Sequence, residues 1–264
     1  MLYSLQTLTI VLSMIKTRIF ETTDLLVSKT LELLRKTLAT PGSLMLSGGS
    51  TPYAIYNQLA DTPCPMHPDR TIFLSDERMV PADSPRNNAA NLMPMLRALE
   101  CEDRFIRVDT SLPVEEAAAR FADELDPLDK IDLGFLGMGT DGHTAGFFTP
   151  EQANLKTGAL TLHTDRPDGL QGVSVTPALF QRVERIILLV TGESKCKIID
   201  TLLNKPAASE VQIISEGAKH NFLKENSDQR EWFNRAKPGS TIPAGIALSD
   251  HPNVELWTDV KKGM

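Results

Sequence analysis

The sequence predicts an α/β fold, a mostly parallel sheet covered by helices on both faces. Three observations predict it. Short apolar runs alternate with stretches of about 10–15 residues that have helical periodicity, the rhythm of βαβ units. Runs such as "IILLV" are apolar throughout, as strands buried on both sides must be. The polar, glycine-rich segments "SGGSTP", "SDER", "GMGTDGH" and "TGESK" each follow a strand-like run. Ligands of such sheets bind outside the carboxyl ends of the strands, so these four loops are expected at one edge.

The elements follow in order. "IKTRIF" (15–20) alternates and reads as an edge strand. Thr23 and Asp24 are placed to cap a helix to about Ala39, with Leu25, Leu26, Leu33, Leu34 and Leu38 in its apolar stripe. Pro41-Gly42 ends it, and "SLMLSGG" is the next strand. Pro52 sits at a helix start that continues through Tyr53 to Ala60. "TIFLSDER" (71–78) reads as one strand ending in charges. A helix from about Asn88 to Leu99, a strand "RFIRV" (104–108) and a helix opened by Pro113 come next. "IDLGFLGMG" is a buried strand, 177–183 a short helix, "RIILLVTG" (185–192) a strand, Glu193 to Leu203 a helix, and "NVELWTD" (253–259) the last strand. "LHTDRPDG" reads as a loop. Residues 204–240 are polar and weakly periodic, an insertion or surface excursion.

The 264 residues are 41% hydrophobic and 23% charged, enough for a full core in one domain over 14–264. Formal net charge is −7 and no basic block is present, which argues against nucleic acid as a partner. Three scattered cysteines, with no C-x-x-C pair, point to a reducing cytoplasm. Residues 1–13 are apolar but too short to span a bilayer, and the nearest positive charges follow them, unlike a signal peptide. No membrane partner is expected. With Met14 as an alternative start, 1–13 read as an N-terminal extension. Monomer and dimer stay open.

Four motifs carry chemistry. In "LSGGSTP", Gly48 and Gly49 let backbone N–H groups approach a ligand, Ser50 and Thr51 add hydroxyls, and a helix N-terminus follows. That suits an anion such as phosphate, although a plain strand-to-helix turn looks the same. The Walker spacing and its lysine are missing. In "SDERMVPADSPRNNAANL", Arg78 can grip a phosphate in a forked geometry, or pair with Asp76 and Glu77 at the surface. Asn87, Asn88 and Asn91 either orient a sugar or cap the helix. "GMGTDGHTAGFFTP" contains G-x-G-x-x-G, yet Gly146 and Pro150 leave at most two helical turns after it, which a dinucleotide fold cannot use. His143 suits acid–base work near neutral pH, and Asp141 two residues away can fix its tautomer. Lys195 in "TGESK" opposes a helix dipole unless an anion sits nearby. The remaining histidines, at 67, 163, 220 and 251, show no ligand spacing, so no metal is expected.

Taken together, "LSGGSTP", "SDERMVP" with "NNAANL", and "GMGTDGHTAGFF" resemble the signatures of the glucosamine-6-phosphate isomerase/6-phosphogluconolactonase family. The likeness covers roughly residues 14 to 203 and resumes at "IPAGIALSDHPNVELW". It implies a Rossmann-like three-layer sandwich, sugar-phosphate isomerase-like, with no cofactor. Within the family the lactonase branch is the nearer: the deaminases carry F-N-E-P where this chain has "FFTP", and tyrosine where Arg78 stands. The resemblance makes His143 the base that activates water on a sugar phosphate lactone, with Asp141 assisting. Gly48, Gly49, Ser50, Thr51, Arg78 and Lys195 would hold the 6-phosphate, and Asp76 and Asn88 would orient the sugar. The pathway implied is the oxidative pentose phosphate pathway. One departure stands out: family members usually have arginine shortly before a threonine where "GVSVTP" has Ser174, which weakens anion binding there or shifts it to Arg166 or Arg182. The alternatives are a glucosamine-6-phosphate deaminase-type enzyme and a non-catalytic sugar-phosphate-binding protein, the latter having no need of Asp141 with His143.

Overall fold

The computed structural model describes residues 15–203, 211–215, 218–219 and 241–260. The expected extension 1–13 lies outside them, as does most of 204–240. In chain order the elements begin β1 (Lys16–Phe20), α1 (Thr23–Leu38), β2 (Gly42–Leu46), α2 (Ser50–Asp61), β3 (Arg70–Leu74), β4 (Asp76–Arg78), α3 (Asn88–Ala98) and β5 (Phe105–Ile106). They continue α4 (Val114–Leu125), β6 (Leu133–Gly137), α5 (Pro150–Ala153), β7 (Thr161–Asp165), β8 (Gln171–Val175), α6 (Pro177–Phe180) and β9 (Ile186–Val190). The last are α7 (Cys196–Leu203), β10 (Val211–Ser215), β11 (Ala218–Lys219), α8 (Pro243–Ala247) and β12 (Val254–Thr258).

The main sheet runs β11-β10-β1-β12-β9-β6-β2-β3-β5, parallel except for β11. Period-two alternation divides its side chains between two cores. Leu44, Leu46, Ile72, Leu74, Phe135 and Leu189 pack on α1, α2 and α3 on one face. Met45, Phe73, Leu136, Leu188 and Leu256 pack on α4, α6, α7 and α8 on the other. This is the expected three-layer sandwich. Leu188 is fully buried in β9, between β12 and β6. Leu188→Ala should cost about 2–5 kcal/mol, seen as a lowered urea midpoint.

Several boundaries differ from the sequence reading. β1 is not an edge, because β10 pairs beside it, Thr17 opposite Val211. The cap of α1 falls one residue early: Thr22 is extended and its hydroxyl accepts the Leu25 N–H at 3.1 Å. "TIFLSDER" breaks at Ser75. β3 stays in the main sheet, while β4 joins a separate antiparallel sheet, β4-β8-β7. The loop-like "LHTDRPDG" holds β7 and the turn of that sheet's hairpin, with Gly169 at φ 79°. Glu193–Lys195 forms a 3₁₀ turn ahead of α7. No helix among the described residues is long and apolar enough to cross a membrane.

The order of connection sets the site. From β2 the chain steps outward through β3 to β5, then returns to place β6 on the other side of β2. This reversal is the switch point where open α/β sheets hold ligands. β2 and β6 pair only at Leu44–Leu133 and Met45–Gly134, whereas β2 and β3 pair along five positions. The ladder between them ends at Met45, short of the carboxyl ends of both strands.

Candidate active site

A cleft of about 220 Å³ lies at these carboxyl ends. The loop after β2 supplies its first wall. Gly49 caps α2 without any side chain, and its carbonyl accepts the Tyr53 N–H at 2.9 Å. The first turn of α2, with Ser50 and Thr51, faces the cleft. A helix start uncapped by a side chain favours an anion. The Thr51 hydroxyl shares a 2.6 Å hydrogen bond with Thr191 after β9, which ties the two strand ends together. Gly48 lies against Asn88 so closely that a Cβ would sit 2.4 Å from its Oδ1.

Asp76, Arg78 and Asn88 form the second wall. The charged run is not a surface ion pair. Glu77 is 1% exposed, and its carboxylate accepts N–H bonds from Arg78, Asn88 and Ala89 at 2.7–2.8 Å. Burial pushes its pKa up to about 7 against the pull of those three donors. Glu77 therefore fastens β4 to the start of α3. Asn88 donates from Nδ2 to the Asp76 carbonyl and accepts from the Tyr53 hydroxyl, so it positions the wall as well as lining it. Asn87 is the cap of α3, bonding the Ala90 N–H, and Asn91 bonds back to Asn87. Arg78 gives one Nη1 hydrogen bond to the Arg86 carbonyl, while its Nε is buried without a partner among the described residues.

The loop after β6 forms the floor. It is a pinned coil with no helix, and a single turn, α5, follows it. The Gly139 N–H bonds the His143 carbonyl, and the Thr144 hydroxyl bonds the Gly137 carbonyl at 2.7 Å. Ala145 takes φ 47°, a conformation rare for a residue with a Cβ, and it lines the cleft. Next to it the Gly146 N–H bonds Ser174 Oγ at 2.9 Å.

His143 lines the cleft and Asp141 sits behind it. His143 Nδ1 and Asp141 Oδ1 are 2.6 Å apart. Burial alone would raise the Asp141 pKa, but the charge and hydrogen bond of His143 hold it below the usual carboxylate value. An ionised carboxylate can only accept, so in the neutral imidazole Nδ1 carries the proton and Nε2 the lone pair. The pair folds tightly over Gly139, where a Cβ would meet His143 Nδ1 at 2.2 Å and Asp141 Oδ1 at 2.3 Å.

Lys195 closes the cleft from the 3₁₀ turn, donating to the Met138 carbonyl at 2.6 Å. Burial lowers its pKa, and Asp141 opposes that. Nine of the predicted site residues thus share one cleft, and the tenth, Asp141, backs His143. Arg166, offered from sequence only as a substitute, also lines it, whereas Arg182 bonds Asp126 elsewhere. Sequence gave no signal for Phe148, whose ring lies 4.8 Å from that of His143. A second cavity, of about 260 Å³, lies at the opposite strand ends. Its Arg70 is bonded to Asp132, Thr40 and Pro41. No group of three His, Cys, Asp or Glu placed to hold a metal occurs among the described residues.

The family profile described as glucosamine-6-phosphate isomerases/6-phosphogluconolactonase matches residues 21–222. A 6-phosphogluconolactonase of Thermotoga maritima is 35% identical over 166 residues, which is 61% of this chain and 74% of that protein. The crystal structure of a 6-phosphogluconolactonase from the same organism superposes with a TM-score of 0.69 at 24% identity, over 93% of this chain and 99% of the other. A monomeric glucosamine-6-phosphate deaminase gives an equal TM-score of 0.69 at 17% identity, over 92% and 97%. Backbone likeness therefore does not separate the two chemistries, and the side chains of the cleft must.

Proposed function

The chain belongs to the glucosamine-6-phosphate isomerase/6-phosphogluconolactonase family, and from that membership and the cleft we propose that it hydrolyses 6-phosphoglucono-δ-lactone to 6-phosphogluconate. The observation that carries the reading is His143, held through Nδ1 by Asp141 with Nε2 unbonded among the described residues, on the floor of a cation-lined cleft. Nε2 takes a proton from water, and the hydroxide forms a bond to the lactone carbonyl carbon. The tetrahedral intermediate expels the ring oxygen, which recovers the proton from the imidazolium. The acyl C–O bond breaks, one water is consumed and no covalent enzyme intermediate is needed. The 6-phosphate lies among the α2 amides, Arg78 and Lys195, while Asp76 and Asn88 face the sugar hydroxyls. Binding at this remote group orients the reacting carbon.

The deaminase reading is not favoured. Its extra acid would fall in "FFTP", where Thr149 is occupied as the cap of α5, accepting the Gln152 N–H. We place the reaction in the cytoplasm, a reading supported by three free cysteines.

The test is hydrolysis of freshly made lactone, corrected for spontaneous opening. A rate no greater than the background would reject the proposal. Asp141→Asn should lower kcat about 10- to 100-fold, the worth of one hydrogen bond to a charged partner. The amide keeps an acceptor oxygen for Nδ1 but removes the charge. An unchanged kcat would separate Asp141 from the chemistry.

A further inference from the structure

Arg166 stands at the end of β7, facing β8. Its side chain is 10% exposed, so the guanidinium is largely removed from water. Such a charge is stable only with compensation. Asp168 supplies part of it, at 3.3 Å from Nε. Asp76 Oδ2 lies 4.0 Å from Nη1, an ion pair at a distance beyond a hydrogen bond. No described residue bonds Nη1 or Nη2, and the side chain lines the cleft. The guanidinium carbon also sits 4.9 Å from the centre of the Phe148 ring, which in turn packs on His143. Nε is tethered, a ring supports the group, and the two terminal nitrogens remain free to donate.

Neighbouring cations each keep donors for the same anion. Lys195 Nζ is bonded to the Met138 carbonyl, and Arg78 spends Nη1 on the Arg86 carbonyl. Position 174 offers no positive charge. Its serine hydroxyl accepts from Gly146 and donates to the Val175 carbonyl. A planar fork with both arms open matches a tetrahedral dianion better than a point charge does.

We propose that Arg166 is a further guanidinium, beside Arg78, that pairs with the phosphate of the substrate in this chain, reaching from the end of β7 into the cleft. The identity of the substrate rests on the lactonase reading above. Arg166 also bridges the two ends of the reaction: through Phe148, the group that holds the anion is in contact with the ring that holds the base.

The experiment compares the native protein with Arg166→Ala and Arg166→Lys. Measured are kcat and KM for 6-phosphoglucono-δ-lactone, turnover of unphosphorylated glucono-δ-lactone, and calorimetric binding of inorganic phosphate. Arg166→Ala should raise KM about 10- to 100-fold, the loss of one charge-assisted pairing, with a smaller change in kcat. The preference for the phosphorylated lactone should fall by the same factor, which a merely structural role would not produce. Arg166→Lys should lie between, and it carries the test should the alanine variant unfold. Native KM and native phosphate binding in both variants would overturn the proposal while leaving the lactonase reading intact. A native protein that does not hydrolyse the lactone, yet loses phosphate affinity on Arg166→Ala, would reject that reading and keep the anion site.

Discussion

His143→Ala is expected to lower kcat for lactone hydrolysis by about 10²–10⁴-fold, the usual worth of a positioned general base. KM should stay within a few-fold of native, because the anion is held by other groups. The structure motivates both halves of this expectation. Nδ1 is committed to Asp141 at 2.6 Å, so Nε2 is the one basic nitrogen His143 presents. Release of 6-phosphogluconate by native and variant protein, each corrected for spontaneous opening, checks it. Residual activity should remain, since an activated ester held by oriented donors still gains a few kcal/mol without a base. A variant with native kcat would remove His143 from the reaction, whatever the family likeness.

The second large effect is expected from one methyl group. Gly139→Ala places a Cβ at 2.2 Å from His143 Nδ1 and 2.3 Å from Asp141 Oδ1, inside any tolerable contact. Both side chains are partly exposed, so they can swing aside, and the fold should survive with a melting point within a few degrees of native. Their mutual geometry cannot survive. Displacing a catalytic group by about 1 Å can cost on the order of 10²-fold, so kcat should fall at least that far. Near-native kcat in Gly139→Ala, with the melting point unchanged, would mean that the Asp141–His143 contact is dispensable.

How far the sequence reveals this protein depends on the range of the interaction that fixes each part. The βαβ rhythm is local. β9 alternates between two cores because both of its faces are apolar, and "IILLV" says so directly. The glycine-rich ends of β2 and β6 are local too, and their meeting follows from topology. The small sheet is different. β4 leaves β3 only because β8, about a hundred residues later, offers it a partner, with Asp76 opposite Ser174. Nothing in "TIFLSDER" records that. β1 likewise reads as an edge until β10 is placed beside it. In the cleft, His143 and Asp141 are legible because they are two residues apart. Arg166 is legible only as one of two substitutes, with Arg182, because what separates them is the contact with Phe148 and Asp76 that the fold alone provides. Glu77 looked like surface charge, since sequence cannot show that three backbone N–H groups converge on it.

The short pairing of β2 with β6, two positions long, has a consequence for how new activities arise on this scaffold. Along a continuous ladder, every backbone group near the carboxyl ends would be committed to its neighbour, and altering a loop there would disturb the sheet. Here the pairing of the two strands ends before the loops that wall the cleft begin. Residues such as Arg78, Ser174 and Thr149 can be exchanged, and an arginine can migrate from one strand to the next, without a main-chain hydrogen bond of the central sheet being rewritten. The chassis and the tool are mechanically uncoupled, so the chemistry of the cleft can change while the sheet that carries it stays as it is.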